Sequence, residues 1–86
     1  MNVDELMEIV GAEHLGSPVL YGARRPDAVV LERDDATLKV YLTSERAWPV
    51  ESTVRSFVSE SEALEYVLLK LRQVERARRS LAMYPD

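Results

Sequence analysis

Leu64, Val67, Leu68, Leu71 and Val74 recur at spacings of three and four, the period of a helix with one apolar stripe. Ser59 stands ahead of them as an N-cap, Glu62 completes a capping box, and Val58 is placed to staple against Ala63. Glu60, Glu62 and Glu65 load the first half; Lys70, Arg72, Arg76, Arg78 and Arg79 load the second. That order favours the helix dipole at both ends, and Glu75 with Arg79 adds an i,i+4 pair. The pattern predicts a helix running through Ser80, about 30 Å long at 1.5 Å per residue. Its last turns lose the stripe, so they project beyond the packed region or fray. A long one-sided helix needs a second layer to cover its apolar face.

The preceding residues supply that layer. Asn2 can cap a first helix and Glu5 close its capping box, with Val3, Leu6, Met7 and Val10 at helical spacing. Asp4, Glu5 and Glu8 face outward, and Gly11 weakens this helix or lets it run on to His14. Gly16-Ser17-Pro18 ends it in any case. Residues 18 to 27 read as a connection, with Val19-Leu20-Tyr21 open to being a short edge strand between Pro18 and Gly22. Ala28 to Arg33 is rich in β-branched residues, and Asp34-Asp35-Ala36 carries turn chemistry. From Thr37 to Thr43, Leu38, Val40 and Leu42 alternate with Thr37, Lys39, Tyr41 and Thr43, which predicts one buried and one wet face. The expected hairpin has a connection longer than a two-residue primed turn. Ser44 to Glu51 is a loop holding Trp48 and Pro49. Thr53 to Val58 reads as a third strand, with Val54 and Val58 on one face and Phe57 on the other. The order is α-β-β-β-α: one α+β domain over residues 1–86, a three-stranded antiparallel meander with two helices packed on one face.

Composition narrows what such a domain does. Fifteen acids against 11 bases leave a net charge of −4, which opposes the counterion release that drives general nucleic-acid binding. The α-β-β-β-α order is also that of a double-stranded-RNA-binding domain, but Ser59-Glu60-Ser61-Glu62 opens the last helix where such a domain grips phosphates. With no cysteine and one histidine, neither a thiolate site nor a His-rich metal centre is available. The acidic Met1-Asn2-Val3-Asp4-Glu5 lacks the basic start of a secretory signal, and no apolar run approaches the ~20 residues of a membrane span. A cytoplasmic location is expected.

No catalytic, metal-ligating or cofactor-binding residue emerges. His14 lacks an orienting partner and reads as a helix-end residue. Glu32, Asp34, Asp35, Glu45 and Glu51 cluster around strand ends and their loops. They read either as solvated turns or as an acidic docking surface that steers a basic partner. Trp48 is either a plug folded over the sheet edge or an exposed anchor for that partner. The alternative function is a regulatory or structural homodimer, formed through an open sheet face carrying Leu31, Tyr41 and Phe57.

Two stretches look familiar: Val30-Leu31-Glu32-Arg33 with Lys39-Val40-Tyr41-Leu42-Thr43-Ser44-Glu45-Arg46, and Val54-Arg55-Ser56-Phe57-Val58-Ser59-Glu60-Ser61-Glu62 running on to Leu68. Over Val30–Leu71 the chain resembles small actinobacterial immunity proteins of polymorphic toxin systems, where a hairpin ends in an acidic-basic pair and a strand enters a Ser-Glu-capped helix through phenylalanine. The hairpin here has no glycine, and Trp48-Pro49 stands where small polar residues are usual. The resemblance implies a non-enzymatic, cytoplasmic antitoxin that binds and occludes one cognate toxin. The acidic balance suits a basic toxin such as a nuclease.

Overall fold

The computed structural model describes residues 1–82. Helix α1 spans Val3–Ala12, followed by strands β1 (Val19–Leu20), β2 (Val29–Asp34) and β3 (Thr37–Leu42). A 3-10 turn at Glu51–Thr53 leads into β4 (Arg55–Phe57), and α2 (Glu60–Ala82) closes the order. The α+β class stands, with both helices on one face of the sheet.

The sheet itself differs from a three-stranded meander. It has four strands in the order β1-β2-β3-β4, and β1 runs parallel to β2. A parallel neighbour normally needs a long crossover. Here Val19 and Leu20 pair with Val30 and Leu31, near the start of β2, so the chain steps back only a few residues through 21–28. The β2–β3 connection is also shorter than the sequence suggests. Asp34 pairs with Thr37, leaving only Asp35 and Ala36 in the turn, and Asp35 takes a φ of 54° at its first position. That is the signature of a primed turn of the II′ kind, with aspartate standing where glycine is usual.

The main core lies between helices and sheet. Leu6 and Val10 from α1 meet Ala63, Leu64, Val67, Leu68 and Leu71 from α2 over Val29, Leu31, Leu38 and Val40. Each fully buried leucine or valine contributes about 1.5–3 kcal/mol relative to exposure. Asn2 caps α1 through its Oδ1, which accepts from Glu5 N–H at 2.8 Å. Helix α1 stops at Ala12, before Gly16, because His14 swings to φ 55°. Leu15 N–H then donates to Val10 C=O and His14 N–H to Gly11 C=O, a Schellman closure with histidine at the glycine position. Ser59 caps α2, its Oγ accepting from Glu62 N–H at 3.4 Å. The expected staple is absent: Val58 is 85% exposed.

The opposite sheet face is not open. Val19, Ala28, Val30 and Tyr41 form a second buried cluster, with Val54 packed against it. The segment 21–28 straps across this face. Arg24 stacks over the Tyr41 ring at 5.5 Å, its Nε donating to the Tyr41 hydroxyl at 2.7 Å. Buried Thr43 latches the strap: its hydroxyl donates to Arg25 C=O at 2.7 Å and accepts from Ala28 N–H at 2.8 Å. The surface expected for a homodimer is therefore not available. Leu31 is buried beneath the helices, Tyr41 is buried beneath the strap, and Phe57 packs on the core with its ring 5.3 Å from that of Tyr66.

Candidate functional site

The six residues singled out by sequence are spread along β3 rather than gathered at one point. Glu32 and Asp34 stand beside Lys39 toward the hairpin end of the strapped face, while Glu51 follows Val50, whose N–H donates to Leu42 C=O at the last residue of β3. Lys39 pairs directly with Glu32 across β2–β3 and bridges Asp34 at 2.8 Å. The hydrogen bond and charge of Asp34 hold the Lys39 ammonium above its usual pKa, with Glu32 and Glu51 adding to the pull. Glu32 also accepts from the Tyr41 hydroxyl at 2.9 Å and faces Arg24 at 3.7 Å. Two of the five acids are thus already matched by internal cations, and such half-exposed pairs add little stability. Asp35 stands exposed at the hairpin tip and Glu51 on the 3-10 turn.

Glu45 and Trp48 lie at the other end, on a closed turn beyond β3. Ala47 N–H donates to Ser44 C=O at 2.9 Å, Ser44 N–H donates to Trp48 C=O at 2.8 Å, and Thr43 bridges Pro49. Ala47 holds φ 64° to close this turn. A type I turn followed by a left-handed residue fits that bonding, although glycine usually fills the left-handed place. Backbone bonds therefore fix the turn, while its tryptophan points away: Trp48 is 66% exposed. Of the two readings of Trp48, the plug over the sheet edge fails, because the side chain is exposed.

Beside this turn lies a groove of about 430 Å³ that the sequence did not reveal. Its apolar walls are Val29, Leu42, Leu71 and Val74, with Asp27 and Arg78 also lining it. It exists because α2 outruns the sheet: Leu71 is its last buried residue among those described, and Val74, one turn on, is 45% exposed. The turn and the groove are neighbours, since Thr43 lines the groove and Asp27 N–H donates to Ser44 C=O at 3.0 Å. The end of the apolar stripe at Val74 was the available signal. On the other flank of α2, a groove of about 360 Å³ holds Arg72, Arg76 and Arg79. Arg72 is engaged by Glu13 and Arg79 by Glu75. The Arg72 hydrogen bond holds Glu13 below the usual carboxylate pKa, and that of Arg78 does the same for Glu75.

His14 is exposed at the end of α1, a structural cap residue. Among the described residues, no cluster of three or more histidine or acidic side chains could hold a metal ion. None of the described helices is long and apolar enough to cross a membrane. No family model, curated protein or solved structure matches the chain.

Proposed function

We propose that this protein is a non-enzymatic binding module that occludes a basic protein partner in the cytoplasm, the activity of an immunity protein toward its toxin. The observation that carries the reading is Trp48, held 66% exposed on a turn whose backbone is already fixed. With the backbone fixed, only the two side-chain torsions of Trp48 remain to be ordered on docking, and tryptophan is enriched where interface energy concentrates. Glu45, Asp35 and Glu51 are the exposed acids that would steer a basic partner, while Glu32 and Asp34 contribute less because Arg24 and Lys39 offset them. The resemblance to immunity proteins over Val30–Leu71 adds the toxin as the partner's class.

The test is calorimetric titration against the protein encoded by the reading frame immediately upstream. Complete inhibition of that protein near one equivalent is expected, with association slowing steeply as salt rises. Trp48→Ala should weaken binding at least tenfold, mainly through faster dissociation. Inhibition at far below one equivalent would mean turnover and would sink occlusion.

A further inference from the structure

We propose that the groove beneath the second half of α2 is a socket for the Trp48 indole of a second copy of this chain. The proposal rests on the reading of Trp48 as an exposed anchor and names one occupant for its surroundings.

Three observations converge. First, the exposed tryptophan and the apolar groove are adjacent, joined through Thr43 and the Asp27–Ser44 backbone bond. A knob beside a hole is what a two-fold axis requires, because each copy then fills the other's hole while the other fills its own. Second, the sizes agree. At about 430 Å³ the groove lies at the lower end of the roughly 300–1,000 Å³ range that receives small ligands, with half-buried Leu42 and the exposed Val74 as apolar walls over a floor of buried Val29 and Leu71. Third, the charges match. The turn presents Arg46 and Glu45, and the groove presents Asp27 beside an Arg78 already paired with Glu75, so the free match is Arg46 of one copy with Asp27 of the other. Arg78 can also stack its guanidinium on the seated indole.

The contact is small. Two seated indoles bury about 300–500 Å², and the flanking walls add to that without reaching the 1,200–2,000 Å² of a stable interface. The dimer is accordingly weak and reversible. It uses none of Leu31, Tyr41 or Phe57.

Trp48 is the sole tryptophan, so its emission reports the seat directly. From low-micromolar to several hundred micromolar protein, sedimentation velocity should pass from monomer toward dimer while the emission shifts to the blue. Val74→Arg blocks the socket at an exposed position, and Trp48→Ala removes the knob; each alone should stay monomeric, with circular dichroism confirming the fold. Mixed, they are complementary. The mixed pair keeps one of the two seats, so the indole of V74R should shift to the blue when W48A, which has an intact socket and no tryptophan, is added in excess at concentrations above those at which the unsubstituted chain pairs. Monomer with concentration-independent emission overturns the proposal, as does a blue-shifted monomer whose indole fills its own groove. Dimerisation retained by both variants overturns it as well. None of these readouts uses a foreign partner, so occlusion of a basic protein stands or falls on its own titration.

Discussion

His14, Tyr21, Asp27, Asp35 and Ala47 all hold positive φ, and no glycine in the chain does. For a residue with a Cβ, the left-handed region costs roughly 1–2 kcal/mol, somewhat less for aspartate. His14 and Ala47 carry that cost without a local side-chain bond to offset it. His14 completes the Schellman closure of α1, and Ala47 closes the turn that presents Trp48. Replacing either by glycine should therefore stabilise the fold by about 1 kcal/mol, raising Tm by roughly 4–8 °C in a domain of this size. Differential scanning calorimetry of His14→Gly and Ala47→Gly checks this. A fall in Tm for both would show that the left-handed strain is not where the geometry puts it.

At the scale of elements, the strap 21–28 does the most unexpected work. It turns a half-wet sheet into one buried on both faces at the Tyr41 end, with Arg24, Glu32 and Thr43 as its fastenings. Burial first, then the bond to Glu32, raises the Tyr41 phenol above its ordinary pKa of 10.0. Tyr21 is raised too, by burial and then by Glu60. The unfolded chain releases these protons at the ordinary value while the folded chain keeps them. The stability they contribute is therefore whole below pH 10 and is lost as pH climbs through the folded value. Tyr41→Phe should make stability fall less steeply above pH 10 in urea titrations, while costing about 1 kcal/mol at neutral pH through its lost hydrogen bonds. An unchanged alkaline slope would contradict the strap as described. The helices were legible from sequence because periodicity and caps are local: Asn2, Ser59 and the Leu64–Leu71 stripe each act within a few residues. The strap was not, because Arg24 and Tyr41 meet across 17 positions and nothing in the spacing of either announces the other. The two-residue hairpin was missed for a related reason. Asp35 adopts a conformation that its residue type disfavours, and only the register of the whole β2–β3 ladder enforces it.

Across the whole molecule, the charge is divided. Residues 1–62 hold 12 acids and 6 bases, whereas residues 63–86 hold 3 and 5. The acidic part includes the hairpin tip and the Trp48 turn; the basic part starts within the first turn of α2, with its cations running from Lys70 to Arg79. The sequence-derived site was half legible in consequence. The acids were legible as charges near strand ends and turns, but not that Lys39 and Arg24 offset two of them, nor that the Trp48 turn lies beside a groove. This fold holds one indole in water on a turn fixed by backbone bonds. Acrylamide quenching of the single tryptophan, at a concentration too low for self-association, reads that exposure. Red emission with quenching close to that of free indole in water is the predicted result. A blue emission shielded from acrylamide in the dilute monomer would contradict it.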